Sequence, residues 1–163
     1  MKPPRRLATL AVAVGALAGC QPLAPQFTAA DQASVRGLFD STVTYVNAKN
    51  WSGWAGLFSD SAVFQPPNAK AVRGRSAIQS YGQGFPPLEQ FAMDDVHVWG
   101  EGNLAYGTST LIFKIKDAPV DSSKQLIVSR RSAAGRWEVA AVSFNSDLPP
   151  APPPAPAAPP KKK

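Results

Sequence analysis

Few side chains in this sequence have the type and spacing that catalysis requires. The chain contains one histidine, His97, whose imidazole would suit a general base because its ordinary pKa lies near neutrality. Asp94 and Asp95 precede it, but adjacent residues of a predicted strand point to opposite faces, so these carboxylates should not form a paired acid site. We interpret His97 as a structural strand residue and the two acids as solvated. A general-base role for His97, assisted by one of the acids, is the alternative.

The residue counts also argue against bound metals and cofactors. One histidine and one cysteine cannot form a multi-histidine or multi-cysteine ligand set, and no acidic cluster with ligand spacing accompanies His97. The sequence contains no Gly-x-Ser-x-Gly nucleophile elbow and no glycine-rich loop with phosphate-binding spacing. We therefore expect no metal site and no cofactor.

The single cysteine, Cys20, lies at the end of a predicted export signal, residues 1–19. A basic start is followed by an apolar run at residues 7–18, which is shorter than the roughly 20 residues of a transmembrane helix. Residues 17–20, Leu-Ala-Gly-Cys, resemble the lipobox of bacterial lipoproteins, which implies cleavage before Cys20 and a lipid on it. An ordinary secretory signal cleaved near Ala18 is the alternative. We expect an exported protein anchored to membrane lipid through Cys20, on the outer membrane or facing the periplasm if the host has two membranes.

The charge of the chain is concentrated at its two ends. The formal net charge is +6, but six of the 17 basic residues lie before Cys20 or in the last three positions. The other 11 basic residues face 11 acidic ones, so the central body lacks the basic stripe that nucleic-acid binding requires. Residues 149–163, mostly proline and alanine before three lysines, predict a disordered, semi-stiff tail. Two roles stay open for the lysines: contact with an anionic lipid or envelope polymer, or solubilisation alone.

Three segments in the first half of the body predict helices. Thr28 and Asp31 have capping-box spacing ahead of a long first helix, which residues 47–50 break. Apolar side chains at helical spacing from residue 51 predict a short second helix that ends near Asp60. Ser76 is the expected N-cap of a third helix, which a Pro-Pro pair stops.

The rest of the body favours strands. Residues 62–65 and Val72 predict two short strands on either side of a Pro-Pro-Asn turn. From residue 88 onward the period is two, and turn signals divide this part into four strands at residues 91–99, 104–116, 125–131 and 137–145. Helices followed by an antiparallel meander predict a single α+β domain at residues 28–148, after a linker at residues 20–27.

Four short stretches carry a family resemblance. They are residues 47–51 (Asn-Ala-Lys-Asn-Trp), 57–63 (Leu-Phe-Ser-Asp-Ser-Ala-Val), 72–78 (Val-Arg-Gly-Arg-Ser-Ala-Ile) and the closing Trp137 with Asn-Ser-Asp at 145–147. In this order they resemble the nuclear transport factor 2-like superfamily, in particular its SnoaL-like and ketosteroid isomerase-like branch. The resemblance implies three N-terminal helices packed on a curved, mostly antiparallel sheet around a conical, largely apolar cavity, often in a homodimer.

The catalytic groups of the isomerase branch are not matched. That branch uses a carboxylate after the first short strand, where residues 64–67 of this chain are Phe-Gln-Pro-Pro. Its tyrosine corresponds to Thr42, and Tyr45 lies about one helical turn away, so we do not count Tyr45 as equivalent. The second acid corresponds to residues 126–128, Leu-Ile-Val. Steroid-type isomerisation is therefore disfavoured.

Aromatic side chains are the candidate ligand contacts of the implied cavity, although most of them should also serve as core. The candidate pocket residues are Trp54, Phe58, Phe64, Phe85, Trp99, Tyr106 and Asn145. Our first hypothesis is a membrane-anchored module that binds a small apolar molecule or a protein partner in the cell envelope. The second is an acid-base enzyme, an isomerase, cyclase or hydrolase, that uses His97 or an acid from another strand for proton transfer. The third is an envelope interaction or spacer protein that works through its proline-lysine tail.

Overall fold

The computed structural model describes residues 25–149. The predicted signal peptide, Cys20 and nearly all of the predicted tail lie outside these residues. The elements follow one another as α1 (Ala29–Asn47), α2 (Trp51–Gly56), β1 (Phe58–Gln65), β2 (Val72–Arg73), α3 (Arg75–Gln83), β3 (Leu88–Glu101), β4 (Leu104–Ile115), β5 (Val120–Arg131) and β6 (Trp137–Ser146). No helix in this part of the chain is long and apolar enough to cross a membrane.

The first helix begins where the capping-box pattern predicts it. The backbone N–H of Asp31 donates to Oγ1 of Thr28 at 3.2 Å, and the backbone N–H of Thr28 donates to Oδ2 of Asp31 at 2.9 Å. These bonds satisfy N–H groups that the first helical turn cannot pair, a contribution of about 1 kcal/mol. The cap therefore sets the start of α1 at Ala29.

Two details of the helix predictions were wrong. The second helix ends at Gly56 instead of near Asp60, because Phe58 already pairs with Val139 of β6. Sheet pairing thus prevails over the helical spacing of the aromatic residues. The third helix begins at Arg75 with Gly74 as its N-cap and without a side-chain cap, so Ser76 does not cap it.

The six strands form one curved, open sheet in the order β2-β1-β6-β5-β4-β3. β3 to β6 form an antiparallel meander, and β1 pairs with β6 in parallel. The short β2 pairs with β1 and is the edge strand opposite β3. The three helices pack on the inner face, with α2 and α3 in contact with each other and α1 lying along β3. The predicted α+β class and helix-on-sheet arrangement are confirmed.

Strands β3 and β5 are longer than predicted. β3 runs from Leu88 to Glu101, and β5 begins at Val120, five residues before the predicted start. The first residues of β5 are mostly polar, yet Asp121 and Ser123 are buried against the inner face. Because these residues are polar, the alternation of apolar residues does not identify this part of the strand.

A β-bulge at Asp95 divides β3 into two halves. Asp94 pairs with Thr110 and His97 with Thr108, so β3 holds one residue more than β4 between these pairs. Asp95 has a φ of 51°, in the left-handed region. An extra residue reverses the inward and outward alternation, so side chains beyond the bulge exchange faces relative to those before it.

Side chains of α1 cover the free edge of β3. Arg36 Nη1 donates to the carbonyl of Val96 at 2.7 Å, and Gln32 Nε2 donates to the carbonyl of Val98 at 3.2 Å. Such contacts satisfy edge carbonyls that could otherwise pair with another strand. These two hydrogen bonds also hold α1 in position along β3.

The start of α1 is tied to the end of the sheet through Asp31. Trp137 Nε1 donates to Oδ1 of Asp31 at 3.1 Å, and Arg131 forms an ion pair with the same oxygen. The Arg131 guanidinium lies 4.9 Å from the centroid of the Trp137 ring. The backbone N–H of Thr28, followed by the Trp137 indole, holds the pKa of Asp31 well below its ordinary value of 3.8. The carboxylate thus joins three elements, α1, β5 and β6.

Candidate ligand-binding cavity

An apolar inner chamber of about 40 Å³ lies between the helices and the concave face of the sheet. Side chains from α1, α2 and five strands line it, as does Phe85 in the connection after α3, and 12 of its 14 lining residues are apolar. The lining consists of Thr42, Val46, Trp54, Phe58, Phe64, Phe85, Phe91, Met93, Leu111, Gln125, Ile127, Val139, Val142 and Phe144. A chamber of this size holds one small group and not a whole ligand.

A second chamber of about 200 Å³, the outer chamber, adjoins the first. Phe85, Phe91, Leu111 and Phe144 line both chambers, which therefore share this part of their walls. Pro67, Tyr81, Pro86, Leu88, Phe113 and Ile115 complete the outer wall. The two volumes together lie just below the roughly 300 Å³ at which small-molecule sites begin, so the cavity suits a compact ligand.

An aromatic cluster centred on Trp54 forms the closed end of the cavity. The Trp54 ring lies 5.2 Å from Phe58 and 5.6 Å from Phe64, both edge-to-face, and 6.0 Å from Phe85. Edge-to-face pairs add about 0.5–1.5 kcal/mol each beyond the area that they bury. Trp54, Phe58 and Phe64 are also buried, so these rings belong both to the hydrophobic core and to the chamber wall.

The lining is nearly free of titratable groups. Among the described residues that line the two chambers, Tyr81 is the one side chain that can ionise, and burial raises the pKa of its phenol. The polar groups of the inner chamber are the Thr42 hydroxyl, the Gln125 amide and the indole N–H of Trp54. None of them is an acid or a base near neutral pH, so the inner chamber offers hydrogen bonds but no proton transfer.

Four of the seven predicted pocket residues lie in the inner chamber: Trp54, Phe58, Phe64 and Phe85. The other three lie elsewhere. Trp99 and Tyr106 are cross-strand partners on the outer face, with 46% and 47% of their surface exposed, and Asn145 is exposed opposite Lys124. The bulge explains Trp99, because unbroken alternation from Met93, which lines the chamber, would have turned it inward.

His97 lies on the same outer face as Trp99. Its Nε2 is 2.8 Å from Oδ1 of Asp95, its ring stacks on Trp99 at 5.7 Å, and 56% of its side chain is exposed. Of the two acids considered as its assistants, Asp95 is the one in contact. This pair is separated from the cavity by the sheet, so it cannot act on a ligand in either chamber.

Several lining residues were not predicted from the sequence. Leu111, Ile127, Val139 and Phe144 sit at inward positions of strands that the period-two pattern does identify, so alternation alone could have assigned them. Gln125 could not be found in this way, because an isolated amide in a strand is ordinarily exposed. Asp121, 8% exposed, is a buried carboxylate on the same face of β5 and was also missed.

Residues that could hold a metal ion do not cluster in this structure. Within residues 25–149, no three side chains of histidine, cysteine, aspartate or glutamate come together.

The fold and the cavity define a helix-on-sheet cone of the nuclear transport factor 2 type. The family model of the SnoaL-like domain matches residues 35–146, well over half of the chain. The chain therefore belongs to the SnoaL-like domain family. A search of curated proteins found no match.

Solved structures with the same fold include three bacterial proteins. A nuclear transport factor 2-like protein of unknown function from Pseudomonas putida is 18% identical, with a TM-score of 0.65, over 76% of this chain and 99% of its own. A ketosteroid isomerase-like protein from Erwinia carotovora is 16% identical, with a TM-score of 0.63, over 75% and 100%. A protein of unknown function with a cystatin-like fold from Nostoc punctiforme is 14% identical, with a TM-score of 0.66, over 75% and 95%.

These identities establish a common fold and nothing about activity. The first two proteins consist almost wholly of the matched domain, so in those two proteins the domain is the whole folded unit. Every helix and strand described above lies within residues 25–149. This segment is accordingly the one to isolate for binding measurements.

Proposed function

We propose that this protein is a membrane-anchored lipoprotein whose SnoaL-like domain binds a small, largely apolar molecule in the two-chambered cavity. The observation that carries the binding proposal is the lining itself. Twelve of the 14 residues around the inner chamber are apolar, and the described residues around the outer chamber are all apolar or aromatic. Transfer of apolar surface from water into such a wall contributes about 25 cal/mol per Å².

Proton-transfer chemistry receives no comparable support. His97 and Asp95 contact each other on the outer face, and the described lining contains Tyr81 as its one ionisable group. A general base must lie within hydrogen-bond reach of the proton that it removes. We therefore favour a binding function over the acid-base enzyme.

Binding can be tested with a neutral fluorescent probe, N-phenyl-1-naphthylamine, and residues 25–149. We expect saturable binding with enhanced emission in the wild type. Ile115→Glu places a charge in the outer wall and should weaken binding by about tenfold or more, since the charge resists desolvation.

Ile112→Glu is the matched control. Ile112 lies on the same strand, and its register partner Ser122 is exposed on the outer face. This variant should bind like the wild type. If Ile115→Glu and the wild type bound the fluorescent probe with equal affinity, the cavity would not be the binding site.

The anchor follows from the sequence at Cys20, outside the described residues. In cells that produce the full chain, an alkyne-labelled fatty acid should be incorporated into the wild type, which should sediment with membranes. Cys20→Ser should lose both the label and the membrane association. Label in the Cys20→Ser chain, or an unlabelled wild type, would contradict the lipoprotein assignment.

A further inference from the structure

The outer face of the sheet carries a band of exposed rings across β3 and β4. His97, Trp99 and Tyr106 stack in this order, with 5.7 Å between the centroids of the first two rings and 5.3 Å between those of the last two. The exposed side chains of Leu104 and Leu126 lie beside them on β4 and β5. The band therefore offers apolar ring faces together with two hydrogen-bond donors, the indole N–H and the phenol O–H.

The segment that follows the domain, residues 149–160, has a matching pattern. A polyproline II helix has three residues per turn and no internal hydrogen bonds, so every third residue lies on one face and the carbonyls stay unpaired. One such face of this segment consists of proline alone, and we call it the proline stripe: Pro150, Pro153, Pro156 and Pro159. The stripe would be about 28 Å long. Proline-rich segments in this conformation dock against aromatic side chains.

The described chain ends on the outer face, close to the band of rings. Asp147 forms an ion pair with Lys124, an exposed residue of β5 that pairs with Asn145. Asn145 lies three strand spacings and four residue positions from Trp99, a diagonal of about 20 Å in an ordinary sheet. Residues 149–160 would span about 35 Å as polyproline II, so the segment is long enough to cross the band.

The charges on the far side of the band are complementary to the three lysines that follow the segment. Asp94, Asp95 and Glu101 are exposed on β3, the edge strand. A segment that crosses from β6 to β3 would bring residues 161–163, all lysine, to these carboxylates. Exposed ion pairs contribute little to affinity, but complementary charges favour one direction of docking over the reverse.

Covalent linkage makes a weak contact sufficient. A short flexible connection gives the two linked groups an effective concentration in the millimolar range. A contact with a Kd of about 1 mM is then about half occupied within one chain. A few proline rings on two aromatic rings can therefore keep the segment on the sheet.

We propose that residues 149–160 dock as a polyproline II helix on the outer face of their own domain, with the proline stripe on the rings of Trp99 and Tyr106. The sheet separates this contact from the cavity, so the proposal does not depend on the proposed binding function. The segment and a second copy of the chain would compete for one face. Residues 25–149 lack the segment and leave the face free for a second copy.

A spin label on the segment tests this contact. In the chain of residues 20–163 with Cys20→Ser, Ala158→Cys supplies the one reactive thiol and leaves the proline stripe and the lysines unchanged. In ¹H–¹⁵N NMR spectra, the label should remove most of the amide signals of Trp99 and Glu101. The signal of Ser80, which lies in α3 on the other side of the sheet, should persist.

The proline stripe has a matched control in the same segment. Replacement of its four prolines by alanine should restore the signals of Trp99 and Glu101. Replacement of four prolines on the other two faces should leave these signals broadened; these are Pro149, Pro152, Pro154 and Pro160. On the domain, Trp99→Ala should restore the Glu101 signal, whereas Val63→Ala on β1, at the opposite side of the outer face, should not.

Three results would overturn the proposal. The first is that the signals of Trp99 and Glu101 persist in the spin-labelled chain. The second is that the two proline sets have equal effects, since docking would then not depend on the stripe. The third comes from a mixture in which one chain carries the spin label and another carries ¹⁵N. Broadening in this mixture as strong as in the single chain would show that the segment docks on a second copy instead of its own domain.

Discussion

At the scale of single residues, Asp31 has the most contacts that depend on its charge. It accepts hydrogen bonds from Thr28 and Trp137 and forms an ion pair with Arg131, so one carboxylate joins the helix start to two strands. The same contacts lower the pKa of its carboxyl group from the ordinary 3.8. A group whose pKa is lower in the folded than in the unfolded state stabilises the fold above the unfolded pKa.

Asp31→Asn should therefore destabilise the domain at pH 7, because the amide cannot accept these bonds as an anion. In the wild type this stabilisation is complete above about pH 5 and is lost as pH falls through the acid range toward the folded pKa. The stability difference between wild type and variant should shrink from pH 7 to pH 3. Urea denaturation at both pH values measures it.

The control for this prediction is Asp40→Asn, an exposed position on the same helix with the same change of charge. It should alter the free energy of unfolding little at either pH. A gap for Asp31→Asn that stays constant between pH 7 and pH 3 would show that the carboxylate charge does not contribute.

The residue scale also shows which candidate side chains the structure brings to the cavity and which it does not. The apolar pattern identified the elements of Trp54 and Phe64, the second helix and the first strand, whereas it assigned Phe58 to that helix although Phe58 belongs to β1. All three side chains line the inner chamber. Trp99 was assigned to the same cavity and lies on the other face, because pairing with β4 inserts one extra residue at Asp95. A single positive φ at an aspartate leaves no distinct signature in the sequence.

At the scale of elements, the contact between α2 and α3 depends on the absence of a side chain. A Cβ atom added at Gly82 would lie 2.8 Å from Cε3 of Trp51 and 2.9 Å from Cζ3 of Trp54. Trp54 is 3% exposed and belongs to the cluster around the inner chamber, so its ring has little room to move. Gly82 is thus the residue that lets α3 approach this cluster.

Gly82→Ala should destabilise the domain by about 1–3 kcal/mol, since overpacking outweighs the gain in helix propensity. Gly37→Ala is the matched control in α1, where nothing lies within 4 Å of the added Cβ. This change should stabilise the domain by about 0.5–1 kcal/mol. Thermal denaturation of both variants shows whether each substitution raises or lowers the stability of the domain. A Gly82→Ala variant more stable than the wild type would contradict the contact between α3 and the two tryptophans.

At the scale of the whole molecule, the order of elements was the most predictable property. Three helices before a four-stranded meander could be read from capping signals, proline stops and the change of period at residue 88. The boundaries of helices and strands were harder to predict where a helical and a strand pattern overlap, as at Phe58. They were also harder to predict where polar residues are buried, as at Asp121. The pairing of β1 with β6 in parallel depends on contacts between the two ends of the domain, which local sequence does not encode.

The outer face of the sheet is the surface that remains without a partner in the described part of the chain. Five of its large apolar side chains are 43–57% exposed: Trp99, Leu104, Tyr106, Val120 and Leu126. Trp99 and Tyr106 stack at 5.3 Å, and Tyr106 pairs with Val128 on the adjoining strand. Trp99, Leu104, Tyr106 and Leu126 lie close together on β3, β4 and β5, whereas Val120 lies at the other end of β5. Exposed apolar patches of this kind mark interaction sites.

We expect a second copy of this chain to cover that face, since the family resemblance implies a homodimer and one patch can meet its own copy about a twofold axis. Tyr106→Glu, in the centre of the patch, should shift residues 25–149 from dimer to monomer in analytical ultracentrifugation. Asp117→Lys, at an exposed turn away from the sheet centre, should leave the dimer intact. Because Tyr106 lies across the sheet from the cavity, its variant should still bind the fluorescent probe with wild-type affinity. A wild type that is monomeric at high concentration would contradict this prediction.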